Sequence, residues 1–191
     1  MKAATWDTGT PSGTPSGGSL IYTRRITAQP GGFANYATIF TTIVSGSPGS
    51  MSVTLSAPGA SCYHSMTVER WSHANLAATP ATNATVNGGS GPASAAITTT
   101  AANSILSWVS TDNNSSDPSG RAYLSGATED GLADGHTNTS SVHYYAYQTA
   151  AAAGSQTIGL STPANQNWVI AGLEILDVPA TNNAVVWLFR A

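Results

Sequence analysis

Four histidines, nine acidic residues, six basic residues and one cysteine are all that this 191-residue chain offers for acid–base, nucleophilic or metal chemistry. Cys62 and His64 stand two apart and share one face of an extended strand, the spacing of a thiol–imidazole pair. The ordinary outcome of that spacing is a small buried thiol beside a hydrogen-bonded histidine. Serine is abundant, but no Gly-x-Ser-x-Gly elbow occurs, so no serine is marked as a nucleophile. Glycoside hydrolysis needs two facing carboxylates roughly 5 to 10 Å apart. Among the acids outside polar loops, Glu69, Glu174 and Asp177, spacing reveals no such pair. Glu174 interrupts an apolar run over 168–175 and is expected to be neutralised by an arginine such as Arg70 or Arg25. Asp112, Asn114 and Asp117, or Glu129, Asp130 and Asp134, carry the hard oxygen donors that calcium takes. Neither group has EF-hand spacing, and the histidines lack zinc spacing. A single cysteine excludes an intrachain disulfide and a cysteine zinc site. The expectation is a protein that is not an enzyme, with no catalytic residue, metal or cofactor. What remains is aromatic. Trp71 and Tyr123, beside polar stretches that hold Asp112 and Asn114, are the candidates for a ligand-facing surface. Trp108, Trp168 and Trp187 and the tyrosines near 144 are read as core or subunit-contact rings.

Short strands have to position these residues. Ala, Thr, Ser and Gly fill 98 positions, so the few large side chains must supply most of the buried apolar area. Met51, Val53 and Leu55 alternate with Ser52, Thr54 and Ser56, the period of a half-buried strand. Met66 and Val68 share a face with Cys62 and His64, while Tyr63, Ser65, Thr67, Glu69 and Trp71 take the other. Further strands are expected around 39–44, 97, 105–109, 142–149, 156–160, 168–178 and 185–189. The strand at 142–149 must present tyrosines on both faces, and 168–175 reads as a central strand covered on both sides. No window longer than about 10 residues carries helical spacing with a cap. Punctuation by Gly, Pro, Asn and Ser between about ten strands points to an all-β fold, a two-layer antiparallel β-sandwich, jelly-roll-like. Residues 1–19, ending in a Thr-Pro-Ser-Gly tandem, are set apart as an extended arm, ordered only against a partner or the chain's own domain; residues 20–191 form the sandwich. Residues 72–92 and 110–141 are expected as long loops able to carry a binding surface.

A net charge of −3 excludes the basic footprint that phosphate-backbone binding requires, so no nucleic acid is expected. The most apolar stretch, 168–173, is far short of the ~20 residues that cross a bilayer, so no membrane partner is expected. The first residues lack the apolar core of a secretion signal, pointing to synthesis in the cytoplasm without a signal peptide. Four segments carry a family texture: Ser-Met-Ser-Val-Thr-Leu-Ser-Ala-Pro-Gly at 50–59, Ala-Ile-Thr-Thr-Thr-Ala-Ala-Asn-Ser-Ile-Leu at 96–106, Ala-Tyr-Gln-Thr-Ala-Ala-Ala-Ala-Gly-Ser-Gln-Thr-Ile at 146–158, and Trp-Val-Ile-Ala-Gly-Leu-Glu-Ile at 168–175. Over residues 36–178 the chain resembles a jelly-roll module of tailed-bacteriophage virion proteins, found in minor tail and capsid-associated subunits. The resemblance implies a virion location and a role in particle assembly as a capsid decoration, minor capsid or minor tail subunit. It implies other virion proteins as partners and a homo-oligomer, with a trimer as its form, and supplies no catalytic residue. The polar stretch at 110–141 and the strand at 185–189 depart from the module. The alternative reading is a carbohydrate-binding, lectin-like module that attaches to host-surface glycans through 72–92 and 110–141.

Overall fold

A computed structural model describes residues 1–6, 13–29, 35–45, 50–56, 63–72, 74–75, 81–88, 91–113, 117–124, 126–135, 141–165, 167–177 and 185–186. Its strands are β1 (Lys2–Trp6), β2 (Thr23–Ala28), β3 (Asn35–Thr41), β4 (Tyr63–Thr67), β5 (Trp71–Ser72), β6 (Ala74–Asn75), β7 (Thr82–Gly88), β8 (Ser94–Thr99), β9 (Ser104–Asp112), β10 (Ala122–Tyr123), β11 (Thr128–Gly135), β12 (Ser141–Ala150), β13 (Gly154–Thr162), β14 (Asn167–Asp177) and β15 (Val185–Val186). Among the described residues the one helical element is a 3-10 turn, Pro118–Gly120, whose Ser119 amide is capped by the Asp117 carboxylate, which accepts from Ser119 N at 2.8 Å.

The chain is the all-β antiparallel sandwich that its alternation implies. Within β7–β14 the ladders nest: β7 pairs β14, β8 pairs β13 and β9 pairs β12. Pairing first with last, second with seventh and third with sixth is what a long antiparallel ribbon produces when it wraps over itself, the jelly-roll pattern. β14 also lies against β9, and β13 against β10. The departure is β11, which forms a hairpin ladder with β12 instead of joining β10. Strands β6, β7, β10 and β11 thus occupy much of what the sequence reading assigns to long loops.

The central sheet, in the order β11-β12-β9-β14 with β6 and β7 beyond, is covered on both faces. On one side β8 and β13 pack Ile97, Ile158 and Leu160 onto Leu106, Trp108, Tyr144, Trp168 and Ile170. On the other, β1, β2 and β3 pack Ala4, Ala28, Ala37 and Ile39 onto Val109, Tyr145, Val169, Ala171 and Leu173. A third layer therefore joins the expected two, and it explains why β14 is apolar on both parities. Gly159 in β13 marks a close backbone approach: its φ is +124°, and a Cβ there would lie 2.1 Å from the Ala93 carbonyl oxygen, which accepts from Leu160 N.

The added sheet has the order β2-β3-β1-β4. Lys2–Trp6, which the sequence reading places in an arm, is an interior strand of this sheet, laddered to β3 on one side and β4 on the other. Residues 7–12 lie outside the described residues. Farther along, Ser16 bridges Thr54, so the segment before β2 lies along the extended 50–56 stretch. That stretch keeps the predicted alternation, with Leu55 buried and Ser52, Thr54 and Ser56 exposed, but this one bridge is its only ladder contact among the described residues. Val53 and Leu55 close a small outer core with Met1, Ala3, Phe40, Met66 and Val68.

Candidate functional site

Among the described residues, the two aromatic candidates of the sequence, Trp71 and Tyr123, do not converge. Trp71, on β5, is half-buried; its indole meets the Tyr147 ring edge-on at 5.0 Å, and its Nε1 donates to Glu69 Oε2 at 3.2 Å. Tyr147 is on the odd-numbered face of β12, toward the β1–β4 sheet. Tyr123 serves the opposite face, packing 5.7 Å from Trp108 and donating its hydroxyl to Glu129 Oε2 at 2.6 Å. Burial first, then the hydrogen bond to Glu129, raises that phenol above its ordinary value. Arg121 grips the same carboxylate, with Nε at 2.5 Å and Nη2 at 2.8 Å. Asp112 is the last residue of β9, fully buried, and accepts from Tyr144 Oη at 3.0 Å. It is an interior acid, not a loop acid. Asn114 lies outside the described residues, as does Cys62.

Glu174 is also corrected. Its carboxylate accepts from Thr100 N at 2.9 Å, Thr100 Oγ1 at 2.8 Å, Ser104 Oγ at 2.9 Å, Ala101 N at 3.2 Å and Ala81 N at 3.3 Å. These neutral donors take the place of the expected arginine and fasten the β8–β9 turn to β14. Burial pushes this carboxyl up, but the donors outweigh it and hold it below the usual range.

The strongest ionic centre is one the sequence reading missed. Lys2, the chain's only lysine, is completely buried. Its Nζ lies 2.5 Å from Glu69 Oε1 and 2.8 Å from Asp130 Oδ2, and donates to the Ala146 carbonyl at 3.0 Å. Glu69 follows β4, Asp130 is in β11 and Ala146 in β12, so one ammonium ties β1 to three other parts of the fold. Burial raises Glu69, but the Lys2 charge and a hydrogen bond with Asp130 prevail and hold it well below its ordinary value. Asp130 moves the other way, raised by burial and by sharing that hydrogen bond with Glu69. Two facing carboxylates therefore exist, with the ammonium bonded to both. Ser107 Oγ also donates to Glu69 Oε2 at 2.6 Å, which leaves Glu69 engaged on both oxygens. The chemistry this arrangement performs is anchoring.

A second polar centre lies between the sheets. His143, fully buried on β12, meets Ser65 Oγ at 2.6 Å through Nδ1 and Ser141 Oγ at 3.1 Å through Nε2. Ser65 Oγ also meets Tyr145 Oη at 2.6 Å. Burial, then neighbouring His64, holds the imidazole down to about 3, so it is neutral and a weak base. Among the described residues no three His, Cys, Asp or Glu side chains gather as metal ligands.

The surface offers a different kind of feature. Ile21 and Ile43 are 86 % and 58 % exposed, the large apolar side chains left in solvent among the described residues. Both line a trough of about 460 Å³ that runs past Leu20, Thr23, Arg25 and Thr42. The trough follows the outer end of β2, an edge strand that among the described residues ladders with β3 alone. No protein-family model, curated protein or solved structure matches the chain. No helix among the described residues is long and apolar enough to cross a membrane.

Proposed function

We propose that the chain is a non-enzymatic structural subunit of a bacteriophage virion, a capsid decoration, minor capsid or minor tail protein that works by docking onto further copies and neighbouring subunits. The observation that carries this reading is the Ile21–Ile43 trough beside the β2 edge. Each isoleucine is worth roughly 1.5 to 3 kcal/mol when taken out of water, and the adjoining edge strand adds backbone donors and acceptors. Six basic and nine acidic residues in 191 leave few charges to desolvate when such a surface is covered. The internal commitment of Lys2, Glu69, Asp130, Glu174 and His143 fits a scaffold better than a reactive centre. The segments at 50–59, 96–106, 146–158 and 168–175 supply the virion part of the reading through their resemblance to phage modules. The test is multi-angle light scattering over a concentration series. The native chain is expected to self-associate, and an Ile21→Ser/Ile43→Ser variant to do so at least about tenfold more weakly at unchanged thermal stability. A native chain that stays monomeric, or a variant that associates equally well, contradicts the reading.

A further inference from the structure

Trp71 is the shared wall of two depressions. One, of about 340 Å³, is lined by Glu69, Arg70, Asp130 and Tyr147 among others; the second, of about 220 Å³, continues past Asn103, Ile175 and Asp177. We propose that this double cleft binds a neutral oligosaccharide, with Trp71 between two successive sugar rings. The inference is independent of the assembly reading and uses a different surface.

Three features of the cleft select that chemistry. First, the Trp71 ring is held, not loose: its Nε1 is tied to Glu69 and its edge abuts Tyr147, while the residue stays half-exposed. A fixed aromatic plane in a cleft is what the apolar C–H face of a pyranose stacks on, at low ordering cost. Second, the floor is closed to a charged ligand, and the rim carries one charge of each sign, Arg70 and Asp177, which does not select an ion of either sign. Lys2 is sealed beneath and bonded to both floor carboxylates, so the floor offers neither a free ammonium to an anion nor an unengaged carboxylate pair to a cation. Arg70, Asn103, Asp177 and Tyr147 line the two halves with residues that carry donors and acceptors. Third, the first half alone falls in the ordinary size range of small-molecule sites, about 300 to 1,000 Å³, and the second extends it in one direction. A ligand of repeating rings uses both halves; a single compact molecule uses one.

The test titrates the full chain with cellohexaose, chitohexaose and maltohexaose, each up to about 10 mM, reading tryptophan fluorescence and heat. At least one is expected to bind saturably with a change in tryptophan emission. Trp71→Ala is expected to weaken that binding at least about tenfold, and Trp71→Phe less. Asp177→Ala, at an exposed position, is expected to weaken it at unchanged melting temperature, which guards against a Trp71 variant that simply misfolds. The Ile21→Ser/Ile43→Ser variant is expected to bind as the native chain does, so loss of assembly and loss of sugar binding are read separately. Absence of binding by all three sugars overturns the proposal, as does binding that survives both Trp71→Ala and Asp177→Ala unchanged.

Discussion

Lys2 shows how a single residue sets the terms for its neighbours. Removing one partner from a buried ionic cluster leaves its counter-charges without compensation, a loss of about 3 to 5 kcal/mol. Lys2→Met is therefore expected to lower unfolding free energy in urea by that order. Lys2→Met/Glu69→Gln/Asp130→Asn together, which leaves no stranded charge, is expected to cost less than the single change. A single variant as stable as the native chain would remove the anchor role. His143 makes a separate prediction in pH. Its folded-state value is lowered to about 3, whereas an unfolded histidine titrates near about 6.5. Between those values the unfolded chain binds the extra proton, so this residue subtracts stability as pH falls through that window, by up to about 1.4 kcal/mol per pH unit. Asp130 acts in the opposite sense, because a carboxyl raised on folding favours the folded state as pH falls. The readout is thus a difference: His143→Gln is expected to lose less stability than the native chain between pH 6.5 and about 3.5 in parallel urea titrations. Parallel curves would contradict a neutral buried His143.

At the scale of elements, β1 is the piece whose removal should matter most. It separates β3 from β4, fills the inner core with Ala4 and the outer one with Ala3, and carries Lys2. A chain lacking residues 1–6 is expected to expose β3 and β4 to proteolysis and to melt well below the full chain; an unchanged melting curve would show that β1 is an accessory arm after all. How much of this was legible in the sequence follows from where the signals sit. β14 could be placed because eight successive positions are apolar on both parities save Gly172 and Glu174, and β12 because Tyr144 and Tyr145 force rings onto both faces. The 50–56 alternation gave the right faces, with Leu55 inward. β1 was hidden because Lys2-Ala-Ala-Thr-Trp6 is short and small, and its one charged residue reads as a solvated end; the Gly and Pro punctuation of an arm starts only after it. β7 and β11 were hidden for a related reason: Asn, Gly, Asp and Ala are weak strand formers on their own, and the ladders to β14 and β12 override that preference. Glu69 and Asp130 are far apart along the chain, so nothing in their spacing could mark them as a pair around Lys2. Asp112 misled because it borders a polar run, while the β9 ladder carries it one residue farther into the core.

The whole molecule is a three-layer brick with Lys2, Asp112 and Glu174 buried inside it, an apolar trough at a sheet edge and an aromatic double cleft elsewhere. Stability in such a module comes from the two cores on either side of the central sheet, and no disulfide contributes, because the chain has a single cysteine. A surface of threonine, serine and few charges suits a subunit whose neighbours cover it, and repeated contacts in a particle strengthen weak pairwise docking by mass action. The most direct measurement of the central claim is the amount of this chain in purified particles, by gradient sedimentation followed by quantitative mass spectrometry. The account predicts co-sedimentation with the particle at a fixed copy number greater than one, reduced in particles made with the Ile21→Ser/Ile43→Ser variant. A chain found wholly in the soluble fraction, with particles free of it, would contradict the claim.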